Sequence, residues 1–490
     1  MITDLPRPAH VRDISPLAGL RRRSLGGVEV TAQSVAVTAP SAAMASAPVL
    51  VAATAGNGTM YSYLIGTFVV LLVGYCISQF ARRMAAAGSL YSFTAKGLGP
   101  TGAIASGVGL ALGYALLSMS TLLLSAFYLL QFAHRVGVPA PDPAVIVIAL
   151  GGAAAFCMVR GIALSSRVAL AVEGTSIAGI LVVLGVLLVR HGVHLDTRLL
   201  RASGSSAHGI GLGVTLAITS FVGFESAATL GAEARRPYLS VPRAIRFTAI
   251  GTAVLYFVAA YTQLDGFSGV AGGLAARTTP LTDLADRSGA SWLSLVLDLG
   301  VAASGFACAT GSATALARLL FSMAREGVTA RFLGRTHARF GTPHGAIRVS
   351  MAVIVVVPVI LLLAGTSAWD GFLYLVTMST FGYMVAYILV CLALPRFLRR
   401  IGELTVGPML AGPFAGAALC CVFAAYVYPL PAAPYYLLFW IFLAIVATAV
   451  IWHLRVARRA PERARRIGVY DETTVADVFD PAHANRQRAS

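Results

Sequence analysis

Thr38-Ala39-Pro40-Ser41-Ala42 interrupts one long apolar stretch of this chain, residues 28–52, and Phe221-Val222-Gly223-Phe224-Glu225 interrupts another, residues 208–230, five apolar segments later. An unpaired backbone amide or carbonyl in hydrocarbon costs several kcal/mol, so such a break persists only where it lines a cavity or is buried in protein. Broken spans at corresponding positions of two halves are typical of the substrate site of an inverted-repeat transporter. The sequence therefore predicts a membrane carrier whose substrate site lies where the two breaks face each other.

The composition is that of a membrane protein. Of the 490 residues, 57% are hydrophobic and only 12% are charged, whereas soluble domains average about 25% charged residues. Repeated apolar runs of about 20 residues, each long enough to cross a bilayer as a helix, predict an all-α polytopic membrane protein in contact with the lipid bilayer. Twelve spans are predicted, at residues 28–52, 60–81, 101–133, 144–160, 165–190, 208–231, 243–264, 291–322, 346–364, 368–394, 406–428 and 434–456.

The net charge of +17 could indicate a nucleic-acid ligand, but its distribution indicates membrane topology instead. With a cytoplasmic N-terminus and twelve spans, only six of the 37 Arg and Lys residues fall on the outer side, and the other 31 fall inside. This asymmetry follows the positive-inside rule, so no nucleic-acid partner is expected. Both termini are predicted to be cytoplasmic, with the protein in a bacterial plasma membrane.

The chain is predicted to have four parts. Residues 1–24 form a polar cytoplasmic N-terminal tail, residues 25–400 a ten-helix transport core, residues 401–457 two peripheral transmembrane helices, and residues 458–490 a cytoplasmic C-terminal tail. Spans 1–5 and 6–10 are predicted to form the two halves of an inverted repeat. The six cysteines lie in apolar runs, and no Cys/His spacing is typical of zinc. Neither a metal nor another cofactor is expected.

Three stretches, in this order and spacing, carry a resemblance to a known family. The first is Ala85-Ala86-Ala87-Gly88-Ser89-Leu90-Tyr91-Ser92-Phe93, closing with Gly99-Pro100. The second begins with Phe221-Val222-Gly223-Phe224-Glu225-Ser226 and continues through Gly231-Ala232-Glu233-Ala234-Arg235-Arg236-Pro237. The third is Ala317-Arg318-Leu319-Leu320-Phe321-Ser322-Met323-Ala324-Arg325-Glu326-Gly327, then Arg339-Phe340-Gly341-Thr342-Pro343. Together they resemble the amino acid–polyamine–organocation (APC) permease family, over roughly residues 25–400.

The resemblance implies a leucine-transporter-like fold, in which a 5+5 inverted repeat is followed by two additional helices. It also implies secondary transport of amino acids or amines without covalent chemistry, so the chain is not expected to be an enzyme. Two departures bear on the substrate. Many relatives have a glycine-rich break in span 1, where this chain has Ala39-Pro40-Ser41-Ala42-Ala43. Many also place an aromatic gate at the position of Thr219, so Phe221 or Phe224 is a candidate for that role.

The two breaks supply the predicted substrate contacts. A helix N-terminus carries unpaired donors and a partial positive charge, so the start of the second half of span 1 suits a carboxylate. The carbonyls of the span 6 break suit an ammonium group, and an α-amino acid carries both charges. A simple proline kink at Pro40 is the alternative. The candidate residues are Ala39, Pro40, Ser41, Ala42, Ala43, Phe221, Val222, Gly223 and Phe224.

Spans 3, 8 and 10 are predicted to wall the cavity. Span 3 has Gly109 and Gly113 at a spacing typical of close helix packing. Each polar stripe on these spans is explained either by ligand contact or by packing between helices. The stripe residues are Tyr114 and Ser118 on span 3, Ser304, Cys308 and Ser312 on span 8, and Thr380 and Tyr383 on span 10.

Three acidic residues lie at membrane depth, where a carboxylate is a functional candidate by default. Glu225, directly after the span 6 break, is a candidate proton carrier or amine-sensing group, or a structural link between helices. Glu173 in span 5 is a coupling-proton site or a structural hydrogen-bond acceptor. Asp298 in span 8 faces an outer vestibule or is a solvated helix end. Sodium would instead need oxygen ligands, which Ser304 or Ser312 could supply.

Charged residues in the inner loops suggest a gate. An ion-pair network there could close the cytoplasmic side, although positive-inside anchoring explains the arginines without a gate. The candidates are Tyr91, Lys96, Glu233, Arg235, Arg318 and Arg325.

The sequence thus predicts a secondary active transporter that moves a small-molecule substrate, an amino acid or small amine, by alternating access, with proton-coupled symport as the leading mechanism. The alternatives are an amino acid/amine exchanger and a non-transporting membrane sensor of the same fold. A membrane-embedded enzyme would need a nucleophile–base pair or a metal cluster at membrane depth. All nine histidines fall in loops or at span ends, which argues against that class.

Overall fold

The computed structural model describes residues 22–190, 204–428 and 433–459, together with the single positions 20, 199 and 467. Most of the two predicted tails therefore lies outside the described residues. Fourteen α-helices form the described part: α1 (Gly27–Thr38), α2 (Pro40–Ala55), α3 (Thr59–Ala81), α4 (Leu90–Arg135), α5 (Pro143–Arg160), α6 (Ile162–Arg190), α7 (Ala207–Thr219), α8 (Pro237–Gly266), α9 (Pro280–Arg287), α10 (Ser291–Arg325), α11 (His344–Leu363), α12 (Ala368–Arg400), α13 (Val406–Val427) and α14 (Tyr435–Arg459).

The predicted fold class is confirmed: the protein is an all-helical polytopic membrane protein. Ten helical stretches among the described residues are long and apolar enough to cross a membrane, and one of them, Gly27–Ala81, contains both of the first two predicted spans. The sixth predicted span is the shorter apolar helix α7 with the irregular segment after it. Large exposed side chains such as Leu64, Phe247 and Phe414 form an apolar outer surface, as lipid contact requires.

The first break lies between α1 and α2. The Ala39 amide donates to the Val35 carbonyl at 2.9 Å and ends α1, while Ala39 itself takes a left-handed conformation with φ 46° and ψ 62°. Pro40 explains this conformation, because a proline has no N–H to continue the helix and disfavours helical geometry at the residue before it. The same proline suits the first position of the new helix, and α2 begins there.

The second break follows α7. Residues 220–225 run as consecutive turns and lead into a short 3-10 helix, Ser226–Leu230. Gly223 has φ +96°, and a Cβ atom on it would lie 2.3 Å from Val37 Cγ1. Val37 belongs to the last turn of α1, so the two breaks are in direct contact. Two hydrogen bonds join the same segments: Ser34 Oγ donates to the Phe224 carbonyl at 2.6 Å, and Ser226 Oγ donates to the Gln33 carbonyl at 3.2 Å.

Close helix packing surrounds the breaks. At the crossing of α4 and α12, a Cβ atom on Gly382 would lie 2.4 Å from the Gly109 carbonyl oxygen, which explains the small residues predicted to pack in span 3. Helix α4 also bends at Gly99, with φ 77°, just before Pro100. The nine residues of α4 before Gly99 therefore form a separate helical segment that precedes the membrane span. Helices α13 and α14, predicted as peripheral, pack against α12, and the Phe381 ring contacts Tyr426 at 4.8 Å between centroids.

The contact at Gly223 yields a stability prediction. We expect Gly223→Ala to destabilise the protein by about 1–3 kcal/mol, because alanine is strained at positive φ and its methyl group would overlap Val37. Gly251→Ala in α8 is the matched control, since a Cβ atom there meets nothing within 4 Å. Thermal unfolding in detergent measures both variants, and equal midpoints would contradict the assigned contact.

Candidate substrate site

A cavity of about 310 Å³ lies between the two breaks. Six of the predicted site and wall residues line it: Ala39, Ala42, Ala43, Val222, Cys308 and Thr380. Helix α1 contributes only its last residues, Val37 and Thr38, whereas the lining continues along α2 as far as Thr54 and includes α7 from Leu212 and α12 from Phe372. The cavity therefore extends from the breaks toward the side where α2 ends, which the topology predicts to be the outer side. The opposite side, where α1 begins and α10 ends, is called the inner side.

The cavity is apolar with scattered hydroxyl groups. Among the described residues that line it there is no Asp, Glu, Lys, Arg or His. Most of the wall was not predicted from the sequence, and this part includes Thr121, Thr215, Phe372, Val376, Phe381, Tyr426 and Tyr435. One signal for α12 was available, because Phe372, Val376 and Thr380 recur every four residues and so share one helix face. No local pattern pointed to Tyr426 and Tyr435, which reach the cavity through the packing of α13 and α14.

The amides predicted to hold a carboxylate already have partners. The Ser41 N–H donates to Glu173 Oε1 at 2.8 Å, and the Ala42 N–H donates to Ser304 Oγ at 3.2 Å. The Ala43 N–H donates to the Ala39 carbonyl at 3.0 Å. Pro40 has no N–H. The start of α2 is thus bonded to α6 and α10, and the side chains of Pro40 and Ser41 are buried outside the cavity lining.

The carbonyls of the second break are likewise engaged. The Ser220 carbonyl accepts the Tyr256 hydroxyl at 2.8 Å, and the Phe221 carbonyl accepts the Phe224 N–H at 3.3 Å. The Phe221 ring packs edge-on against Tyr256 with centroids 4.9 Å apart, and the Phe224 ring packs against Tyr387 at 5.8 Å. Neither phenylalanine lines the cavity. The aromatic rings that do line it come from α12, α13 and α14.

Glu225 joins three parts of the molecule. Its carboxylate accepts hydrogen bonds from the Tyr114 hydroxyl at 2.9 Å, the Tyr387 hydroxyl at 2.5 Å and the Gly223 N–H at 3.1 Å. These donors belong to α4, α12 and the second break, and the side chain is fully buried. Tyr383 packs edge-on against Tyr114 at 5.4 Å. Three donors on one carboxylate satisfy it without a cation, so Glu225 links helices behind the cavity wall.

Two other predicted wall residues bridge helices. Ser118 Oγ donates to the Ala309 carbonyl at 2.6 Å, which links α4 to α10 outside the cavity. Thr380 Oγ1 lies in the cavity wall and donates to Thr219 Oγ1 at 3.0 Å. The pair of threonines therefore joins α12 to the end of α7 where both face the cavity.

Several oxygens between α1 and α10 already accept hydrogen bonds, including that of Ser304, a candidate sodium ligand from the sequence. Cys308 Sγ donates to the Val37 carbonyl at 2.9 Å, and Gln33 Nε2 donates to the Gly311 carbonyl at 2.9 Å. Ser304 accepts the Ala42 amide, while Ser312 lies 3.8 Å from the Cys308 sulfur. Ser304 and the carbonyls of Val37 and Gly311 therefore each accept one hydrogen bond from a protein group between α1 and α10.

A buried ion pair lies on the inner side. Arg318 binds Glu233 in a bidentate way, with Nε–Oε1 2.6 Å and Nη2–Oε2 3.1 Å, and the two side chains are 4% and 5% exposed. The Leu25 N–H donates to the Glu233 carbonyl at 3.0 Å, and the Arg235 N–H donates to the Leu25 carbonyl at 2.8 Å. The start of α1, the segment after the second break and the end of α10 are therefore held together.

The other residues predicted for the gate take separate partners. The Tyr91 hydroxyl donates to the Glu326 carboxylate. The Arg325 guanidinium lies over the Phe321 ring, and the Lys96 carbonyl accepts from Arg400 at 2.8 Å. The predicted inner network is therefore centred on Arg318 and Glu233.

Asp298 belongs to an outer ion triad. Its carboxylate lies 2.9 Å from Arg135 Nε, and Arg135 Nη1 donates to Asp286 at 2.8 Å. The triad ties α4, α9 and α10 together. Although partial burial raises the pKa of Asp286, hydrogen bonds from Arg135 and Ser294 outweigh it and hold that pKa below its ordinary value. Asp298 is fully buried and does not line the cavity, so it is neither a vestibule residue nor a solvated helix end.

Comparison with known proteins agrees with this architecture. The sequence model described as amino acid permease matches residues 28–458. The branched-chain amino acid permease BcaP of Lactococcus lactis is 25% identical over 378 residues, covering 71% of this chain and 76% of BcaP. The low-affinity putrescine importer PlaP of Escherichia coli is 26% identical over 289 residues, covering 58% of this chain and 63% of PlaP. Among solved structures, the chain is similar to Mhp1, a nucleobase-cation-symport-1 family transporter in a closed conformation with bromovinylhydantoin bound. The TM-score is 0.54 at 13% sequence identity, and the match covers 98% of this chain and 100% of Mhp1.

The fold and the central cavity define a multi-pass membrane transporter. The extent of the sequence match then identifies the family: the chain belongs to the amino acid permease family. The predicted family is therefore confirmed, and with it the prediction that the chain is a transporter and not an enzyme. The Mhp1 likeness confirms the predicted leucine-transporter-like fold.

The buried inner pair yields a second prediction. We expect Arg318→Ala to lower stability by about 3–5 kcal/mol, because it leaves the Glu233 carboxylate buried without its partner. Arg83→Ala is the control, since Arg83 pairs with Glu403 at a more exposed position, and such pairs contribute about 0–1 kcal/mol. Thermal unfolding in detergent compares the two, and an equal loss in both variants would rule out a special contribution from the inner pair.

Proposed function

We propose that this protein is a secondary active transporter that moves an amino acid or a small amine across a bacterial plasma membrane, with both termini cytoplasmic. The observation that carries the proposal is the cavity between the two breaks, with the buried Arg318–Glu233 pair on the inner side. Its volume of about 310 Å³ falls in the range of small-molecule sites. The relatives named for branched-chain amino acids and for putrescine support the same substrate classes.

Alternating access would then open the inner side. Helix α1 and the 3-10 helix Ser226–Leu230 share hydrogen bonds through Ser34 and Ser226, so they would move as one unit when the Arg318–Glu233 pair separates. The outer ends of α2 and α7 are held by a separate contact, the Ser205 hydroxyl on the Ala55 carbonyl at 3.0 Å. Each half of a broken helix can thus tilt without disturbing the other half, which is the motion that broken helices permit in such folds.

Proton coupling is the mechanism that the contacts favour. Donors from Cys308 and Gln33 already bind the Val37 and Gly311 carbonyls between α1 and α10, whereas the fully buried carboxylate of Glu225 is available to carry a proton. Protonation of Glu225 would turn one accepting oxygen into a donor, so that a tyrosine hydroxyl that now donates to it would have to reverse its hydrogen bond or leave. Such a change would loosen the link between α4, α12 and the second break, and so connect proton binding to helix movement.

Uptake into proteoliposomes tests the proposed function. The purified protein is expected to accumulate a labelled amino acid or amine from a panel of both, and an inward proton gradient is expected to increase accumulation. Counterflow that ignores the proton gradient would indicate an exchanger instead. Ligand-induced thermal stabilisation without flux would indicate a sensor and would overturn the transport proposal.

The role of Glu225 has its own test. We expect Glu225→Gln to lower proton-driven uptake by at least about tenfold, because the glutamine amide cannot bind a proton and its NH2 group replaces one of the two oxygens that accept hydrogen bonds. Glu403→Gln, which neutralises an exposed carboxylate paired with Arg83, should retain uptake. Normal pH-dependent uptake by Glu225→Gln would remove this residue from the coupling mechanism.

A further inference from the structure

We propose that Glu173 is a built-in carboxylate that occupies the start of α2, so that the site selects substrates lacking a carboxylate of their own. The preferred substrate class is then a small amine with an apolar body. This inference rests on the proposed function and narrows it, because transport of an amino acid would satisfy the proposed function but not this selectivity.

The first support is the set of amides at the start of α2. A helix leaves its first amides without partners inside the helix, and these amides make an anion site. In this chain Pro40 has no amide, Ser41 donates to Glu173, and Ala42 donates to Ser304. The next amide, that of Ala43, donates to the Ala39 carbonyl within the helix. Between residues 40 and 43 no backbone donor remains for a substrate carboxylate.

The second support is the environment of Glu173. The side chain is fully buried, and it comes from α6, 132 residues away from Ser41 in the chain. Its Oε1 binds the Ser41 amide, while Oε2 has no hydrogen-bond partner among the described residues. A second carboxylate at the same helix end would have to compete with Oε1 of Glu173 for the Ser41 amide.

The third support is the cavity wall. Among the described residues that line it, none is an Arg or Lys that could replace the missing amides as a carboxylate ligand. The wall does offer hydroxyl groups, such as those of Thr219 and Thr380, and the rings of Phe372, Phe381 and Tyr426. Hydroxyl oxygens accept hydrogen bonds from an ammonium group, and aromatic faces attract a cation. These groups suit an alkylamine.

A matched pair of substrates tests the selectivity. Leucine and isoamylamine share the same side chain and amino group, but only leucine has a carboxylate. Leucinamide keeps the shape of leucine and its amino group, with a neutral amide in place of the carboxylate. In proteoliposomes we expect the wild-type protein to take up isoamylamine with at least about tenfold higher efficiency than leucine, with leucinamide closer to the amine. Leucine uptake equal to or above that of isoamylamine would overturn the inference and leave the proposed function intact. Absence of uptake for all members of a wider amine and amino acid panel would overturn both.

Variants of Glu173 test the cause. Glu173→Ala releases the Ser41 amide and is expected to raise leucine uptake relative to isoamylamine by about tenfold. Glu173→Asp keeps the carboxyl group and should keep the wild-type preference. Thr175→Ala, at an exposed position of the same helix, serves as the control. An unchanged preference in Glu173→Ala would overturn the inference. If Glu173→Ala does not fold, thermal stabilisation of the wild-type protein decides: stabilisation by isoamylamine but not by leucine supports the inference, and the reverse order overturns it.

Discussion

The structure depends on one constraint, which is that each peptide group released by a helix break must find a partner inside the bilayer. In the first break, Glu173 and Ser304 take the amides of α2, and Cys308 gives its hydrogen to the Val37 carbonyl. In the second break, Tyr256 binds the Ser220 carbonyl. These partners come from α6, α8 and α10, so the breaks themselves fix the positions of the helices around them.

This constraint also explains the character of the cavity. Since the main-chain dipoles of both breaks are largely engaged by protein groups, the cavity offers hydroxyl oxygens, methyl groups and aromatic rings. Recognition would then rest on shape and on a few hydrogen bonds, as in many small-molecule sites. Val37 packs directly against Gly223 next to this cavity, and the Arg318–Glu233 pair lies closer to the inner surface.

The two buried glutamates differ in the number of donors that they accept. Glu225 has three donors from separate elements and holds α4, α12 and the second break together. Glu173 accepts the Ser41 amide through one oxygen and leaves the other without a partner among the described residues. The carboxylate of Glu225 therefore joins helices behind the cavity, whereas that of Glu173 binds the start of α2, between the cavity-lining residues Ala39 and Ala42. Sequence position alone made the two residues look alike.

The sequence by itself determined the fold class, the family, most of the helices and both breaks, because apolar length and the effect of proline and glycine on the backbone are local properties. Tertiary structure decided which groups face the cavity. Phe221 and Phe224 turned away to pack on Tyr256 and Tyr387, and rings from α12, α13 and α14 took the wall instead. The partner of the Ser41 amide lies 132 residues away. No local pattern encodes such a pairing, since it arises only when distant helices pack around the same break.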